Sequence, residues 1–301
     1  MAFYHGKTTR IELVDKLVQL LTTAPVGSAE PYWKKVSSGT FLNEGYILKS
    51  SGKTGGQDIY IRIHSVPETN YVKVTTLESY IPNDTMGLTG TITNESSVAT
   101  VYYHSVVYNA AFPVEYHLSF DRDKIILALT GDKGINGETH TGLLWVGMPQ
   151  RLDPDGDTTN NAVCIACSKS ATDIASTSGT WSNVGRCRTI RDRQGTANAL
   201  SSMITVGTKF NRSKGWGDEI MLPDIYIQDY DGVEGIRSIM DGVHPLYQNG
   251  AYPDFKSGDE VVKNSKRYTI LQVAYDAASG TQAVYSTNAF PSQWMAIEQL
   301  L

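Results

Sequence analysis

Apolar positions recur at helical spacing near the start of the chain and at strand spacing almost everywhere else. Ile11, Leu13, Val14, Leu17, Val18, Leu20 and Leu21 fall at three- and four-residue steps, a wide apolar stripe that predicts one amphipathic helix. Thr9-Arg10-Ile11-Glu12 ahead of it has the spacing of a capping box, in which a hydroxyl accepts from the amide three residues on and a carboxylate reaches back. After a turn with Pro and Gly near 25–31 the period drops to two. In 58–64, Ile59, Ile61 and Ile63 share one face while Tyr60, Arg62 and His64 share the other. Segments 32–36, 45–49 and 71–77 predict further strands, the last pairing beside 58–64 as a meander. Residues 114–120, a polar turn at 121–124 and the run 125–129 predict a hairpin, and 142–148 the strand after it. One helix laid on antiparallel strands is an α+β architecture, mostly β.

Beyond this point the pattern loosens. A loop rich in Asp, Asn and Thr at 153–161 marks the expected domain boundary, giving a helix-plus-antiparallel-sheet domain at 1–150 and a second β-rich domain with irregular loops at 151–301. Residues 168–179 read as polar loop, with short strands around Val163, Cys187 and Ile204. Order returns in 220–227 and 233–243. Segments 258–262 and 267–273 predict a hairpin over Lys263 to Lys266, with 282–285 as a further strand. No period of 20–50 residues repeats, which sets aside solenoids and propellers.

Composition narrows the functional classes. The 301 residues suffice for a sizeable core. Charged residues make up only 19% and apolar ones 41%, with Gly, Ser, Thr, Asn and Tyr filling the difference, as in loop-rich β proteins with polar protein contacts. A net charge of −5 opposes general affinity for nucleic acid, which needs clustered Lys and Arg. The one basic stretch, Arg186, Arg188, Arg191 and Arg193, is interrupted by Asp192 and reads as a solvated face. The first residues lack a secretion signal, and no window reaches the ~18 apolar residues that span a bilayer, so a soluble protein made in a cytoplasm and without a membrane partner is expected.

Candidate chemistry is sparse. Ser51-Gly52-Lys53-Thr54 resembles the end of a phosphate loop, but the required earlier Gly is Ile47, and a strand follows instead of a helix. Asp153-Pro154-Asp155-Gly156-Asp157 resembles half of a calcium loop, with Gly at the wrong place and Cys164 where a bidentate Glu belongs. Cys164, Cys167 and Cys187 admit three states: buried thiols, one disulfide to Cys187, or a metal site completed by a residue such as His140. The first two lie on an apparent strand, where residues three apart point to opposite faces, and this disfavours a shared metal. The six histidines are scattered, with none at helical spacing from a carboxylate or another histidine, and no Ser or Cys has a recognisable base. The expectation is a protein without catalytic residues, metal or cofactor. Seventeen tyrosines, with the outward side of the predicted sheet, nominate Tyr60, Arg62, His64, Tyr71, Tyr102 and Tyr103 as interface positions.

Read end to end, the chain resembles a group of virion structural proteins of tailed bacteriophages. At the front the resemblance is carried by Met1-Ala2-Phe3 with Gly6-Lys7-Thr8-Thr9 leading into the helix. It continues through Trp33, Ile47-Leu48-Lys49 with the Gly-rich loop, 58–63, Tyr71, 116–129 and the strand through Trp145. At the back it is carried by Leu222-Pro223-Asp224-Ile225-Tyr226, by 235–242 leading to Gly242-Val243-His244-Pro245-Leu246, and by 258–261 and 268–271. The front half is similar to the tail-terminator-like module that forms rings at the head–tail junction, and 153–215 has no counterpart. The resemblance implies a homo-oligomeric ring or collar subunit of the virion's neck or tail, made in the host cytoplasm. Its implied partners are copies of itself and tube, sheath, connector or baseplate proteins, with DNA passing a lumen without specific binding. Rings use heterologous contacts, which suits a subunit with two different adhesive faces. The alternative is a baseplate or tail-tip attachment protein whose irregular middle, with loops at 181–188 and 216–217, contacts a fibre, receptor or glycan.

Overall fold

The computed structural model describes residues 2–37, 45–56, 58–64, 71–83, 90–95, 99–103, 113–131, 141–151, 163–167, 201–205, 220–222, 224–229, 236–248, 255–272 and 294–299. The first stretch holds β1 (Ala2–Thr9) and α1 (Leu13–Leu21). Six strands follow: β2 (Lys34–Lys35), β3 (Tyr46–Ser50), β4 (Ile59–His64), β5 (Tyr71–Pro82), β6 (Gly90–Glu95) and β7 (Ala99–Tyr102). The next group is β8 (Pro113–Phe120), β9 (Lys124–Thr130), β10 (Thr141–Gly147), β11 (Gln150–Arg151) and β12 (Cys164–Cys167). Then come β13 (Ser201–Thr205), β14 (Ile220–Met221), β15 (Ile225–Asp229), β16 (Ile236–Ile239), β17 (Val243–Pro245) and β18 (Tyr247–Gln248). The chain closes with β19 (Glu260–Lys263), β20 (Lys266–Gln272) and β21 (Trp294–Glu298). The fold is mostly β, its strand pairs are antiparallel, and α1 is the single helix among the described residues.

The described residues form five sheets, three of which supply most of the core. The meander sheet runs β2-β3-β4-β5-β6, with β7 pairing the first half of β5. The central sheet runs β1-β8-β9-β10-β12, and the C-terminal sheet β17-β21-β20-β19. Leu13, Val14, Leu17, Val18 and Leu21 of α1 meet Ile59, Ile61 and Ile63 of β4 and Leu118, Phe120, Ile125 and Leu127 of the central sheet in one apolar cluster. On the opposite face of the central sheet, Ile126, Ala128, Leu143 and Trp145 pack against Ile225, Met240, Leu271, Met295 and Ile297. The central sheet is therefore covered on both sides.

The helix starts later than its apolar stripe predicts. Ile11 is 60% exposed, because Thr9 still belongs to β1 and the chain turns before Leu13. The capping residues do meet, though not as a full box: the Glu12 amide donates to Thr9 Oγ1 at 3.4 Å, and the Thr9 hydroxyl donates to the Glu12 carboxylate at 3.0 Å. Tyr46 of β3 donates to Asp15 Oδ1 at 2.5 Å and fastens α1 to the meander sheet. That bond, then burial, pushes the phenol up to about 12.

The two predicted hairpins form. In the first, Asp121 Oδ1 accepts from the amides of Asp123 and Lys124 at 2.8 and 3.0 Å, the local bonding that makes Asp a turn former. In the second, Asn264 and Ser265 link β19 to β20 with φ of 51° and 62°, the conformation a two-residue hairpin loop demands. Gly147, at φ +150°, ends β10 where a Cβ would stand 2.2 Å from the Asp123 carbonyl oxygen. The strand expected at 282–285 lies outside the described residues.

Candidate functional site

The face nominated from the sequence lies on β4 and its neighbours. Tyr60 packs with Ile47, Leu77 and Tyr80 in a satellite apolar cluster and is 9% exposed. Lys49 Nζ stands 5.5 Å from its ring centroid. Arg62 and His64 converge with Thr75 and Glu95 around one carboxylate oxygen. Glu95 Oε1 accepts from Thr75 Oγ1 at 2.7 Å and from Arg62 Nη1 at 3.3 Å, with His64 Nε2 at 3.9 Å. Burial, and then the Arg62 charge, push His64 down to about 4, so it is neutral at pH 7. Tyr71 is half-buried with Lys73 Nζ 5.3 Å from its ring centroid, and the backbone of Tyr102 pairs directly opposite it. Tyr103 is 2% exposed and belongs to the main core. Of the six, Arg62 and His64 are joined through Glu95, Tyr71 and Tyr102 share a rung, and Tyr60 and Tyr103 lie within apolar clusters.

The phosphate-loop-like segment has a structural assignment. Ser50 Oγ donates to the Arg122 carbonyl at 2.5 Å, and the Lys53 amide donates to Asp123 Oδ1 at 2.7 Å. Lys53 Nζ lies 2.8 Å from Asp121 Oδ2 and 3.3 Å from Asp123 Oδ2. Burial alone would lower the ammonium, but the two carboxylates outweigh it and hold it above the ordinary lysine value. Lys53 clamps its loop to the hairpin turn. Between α1 and the two sheets, an internal void is walled by apolar side chains, among them Leu17, Leu21, Ile61, Val74 and Leu118. Without polar groups to orient a ligand, it is packing space.

A second polar constellation sits on β1 and β8, where His5 pairs directly opposite His117 and Lys7 opposite Glu115. Strand alternation puts all four side chains on one face. His5 Nε2 donates to Glu115 Oε1 at 2.8 Å, and His117 Nε2 lies 3.4 Å from the same oxygen. The other oxygen, Oε2, is 3.3 Å from Lys7 Nζ. The imidazole rings stack, with centroids 4.4 Å apart and planes 14° from parallel. His5 has a half-exposed side chain, whereas that of His117 is only 5% exposed and its Nδ1 has no hydrogen-bond partner. Burial, then the neighbouring His5, push His117 down to about 4. Burial alone would raise Glu115, but bonds from His5 and Lys7 hold its carboxyl below the usual range.

Sequence alone does not announce this cluster, because Ala2–Thr9 has a weak alternation with a glycine at its centre. The signal was half visible: Glu115 and His117 are two apart in a predicted strand, hence on one face. Nothing local announces that His5, 110 positions from Glu115, lies beside them. Among the cysteines, 164–167 form a strand paired with Gly147 to Leu144. Cys187, His140, the acidic loop at 153–157, the arginine stretch and the tryptophans at 181 and 216 lie outside the described residues. No family model matches the chain, and no curated protein matches it either.

Proposed function

We propose that this chain is a structural subunit of a tailed-phage virion, forming a homo-oligomeric ring at the neck or tail by protein–protein assembly. The observation that carries this reading is β1. It stands at the edge of the central sheet, eight residues long, regular and free of proline, with β8 on one side and no strand on the other among the described residues. Natural proteins blunt such edges with bulges, prolines or short strands, because a row of free N–H and C=O groups is a template for another chain. A long regular edge suits a subunit whose neighbour adds a strand to it. The acidic net charge suits a lumen along which DNA slides without binding.

Single proline substitutions at successive positions from Phe3 to Lys7, read by circular dichroism and by light scattering with electron microscopy, test the reading. Prolines whose lost amide faced β8 unfold the sheet edge. Those on the alternate, outward amides leave the fold intact and dissolve the rings. Rings of fixed copy number lost in this alternating pattern support the proposal. A stable monomer at all concentrations overturns it, and trimers favour the baseplate or tail-tip attachment reading.

A further inference from the structure

We propose that His5, Glu115 and His117 form a binding site for a borderline divalent transition-metal ion of the zinc type. The inference goes beyond the assembly reading and holds whether or not the chain forms rings. Two imidazoles and one carboxylate are the donor set such ions select, and the ligand atoms all lie within 4.8 Å of one another. In a tetrahedral zinc site, bonds of about 2.0–2.2 Å hold ligand atoms about 3.3–3.6 Å apart. The His117–Glu115 separation of 3.4 Å already meets this, and the His5–Glu115 contact of 2.8 Å must open slightly.

The scaffold is suited to the task. The two histidines face each other across a paired ladder with Glu115 on the same face, so three ligands are set by backbone register. His117 is fixed by burial, whereas the half-exposed His5 can swing from the ring stack to aim its lone pair. His117 turns Nε2 towards Glu115, and its buried Nδ1 would carry the imidazole proton when Nε2 binds the ion. Three protein ligands leave a fourth position open to water or to a donor from another molecule. Lys7 is the opposing feature, since its ammonium neutralises the carboxylate from the far oxygen. That opposition gives the test a sign which a merely structural polar cluster would not show.

The full chain is titrated with Zn²⁺ by calorimetry and with Co²⁺ by visible absorption, alongside His5→Ala, Glu115→Gln and Lys7→Met, with circular dichroism to confirm the fold. His5 and Lys7 are exposed, so their variants leave the core untouched. The expected result is saturable one-to-one binding with cobalt d–d bands of a nitrogen and oxygen site, free of thiolate charge-transfer absorption. Binding weakens at least about tenfold in His5→Ala and Glu115→Gln. It tightens about three- to tenfold in Lys7→Met, where the competing charge is gone. Absence of saturable binding, or binding unchanged in His5→Ala and Glu115→Gln, overturns the proposal, as does a cobalt spectrum dominated by thiolate.

Discussion

Strands β9 and β4 are both short, antiparallel and flanked by partners, yet they are written differently. In β9 six of seven residues are buried, and its sequence Lys-Ile-Ile-Leu-Ala-Leu-Thr is a near-continuous apolar run. In β4, Ile-Tyr-Ile-Arg-Ile-His, the isoleucines and Tyr60 are buried, and the alternate Arg62 and His64 are mostly but not fully covered. The difference follows from what covers each sheet. β9 has α1 and the meander sheet on one face and the C-terminal sheet on the other, so neither set of alternate side chains reaches water. β4 has a main core on one face and only a small satellite cluster on the other. Continuous apolarity in an antiparallel strand thus reports a layer on each side.

Burial on both faces also sets rules for polar groups. Each polar side chain of the central sheet that meets the C-terminal layer must bring a partner with it. Ser119 Oγ donates to the Glu298 carbonyl at 2.8 Å, Trp145 Nε1 donates to the Asp241 carbonyl at 3.1 Å, and the Lys124 ammonium pairs with the Asp241 carboxylate. These bonds bridge the two layers and fix their register. On the β4 face, Glu95 keeps some access to solvent, and burial holds His64 below its ordinary value.

The contrast can be broken most forcefully at Trp145, which is fully buried between layers. Trp145→Ala should cost about 3–5 kcal/mol through lost packing and the cavity left behind. Urea denaturation would measure it, and a loss below about 1 kcal/mol would mean that the C-terminal layer does not cover this face.

Next comes pH. Folded His64 titrates at about 4, against 6.5 when unfolded, because burial and then Arg62 outweigh the attraction of Glu95. Below 6.5 the unfolded chain takes up a proton that the folded one refuses. Stability should therefore fall by about 3 kcal/mol as pH drops from 6.5 to 4 and level off beneath that. Comparing denaturation curves of the protein and of His64→Gln isolates this contribution, since His117 adds a slope of the same sign to both. Identical slopes in the two proteins would refute the buried neutral state.

A smaller effect is expected at Lys124. Lys124→Ala should destabilise by about 2 kcal/mol, below the range for a fully buried pair because Asp241 is partly exposed and can rehydrate. Adding Asp241→Asn to Lys124→Ala should recover more than half of that, and a cycle of this double variant with its two single variants that proved strictly additive would show the two groups uncoupled. At the bottom of the scale, the exposed pair of Glu30 and Lys34, 3.4 Å apart, should contribute under about 0.5 kcal/mol. Its removal serves as the baseline for thermal melts.

Much of the fold was readable because local pattern and final environment agree. The stripe from Leu13 to Leu21, the alternation of Ile59, Ile61 and Ile63, and the turn chemistry of Asp121 are short-range signals, and each element formed near its expected place. The misses share a cause. Ala2–Thr9 offers weak alternation with a glycine at its centre, and it becomes a strand because β8 presents a ladder to it. Trp294–Glu298, rich in residues that favour helix, is drawn into the middle of a sheet between β17 and β20, where Met295, Ala296 and Ile297 are fully buried.

The candidate site divides in the same way. Periodicity along the chain determined which residues share a face of one element, so Arg62 with His64 and Glu115 with His117 could be paired in advance. Only the tertiary structure decided that Glu95 joins the first pair, that His5 and Lys7 join the second, and that Lys53 meets a hairpin turn instead of a phosphate. Alternation and helical period are properties of a few consecutive bonds. Which strand lies beside which is settled by the burial of whole faces, a sum over residues far apart in the chain that no local segment encodes.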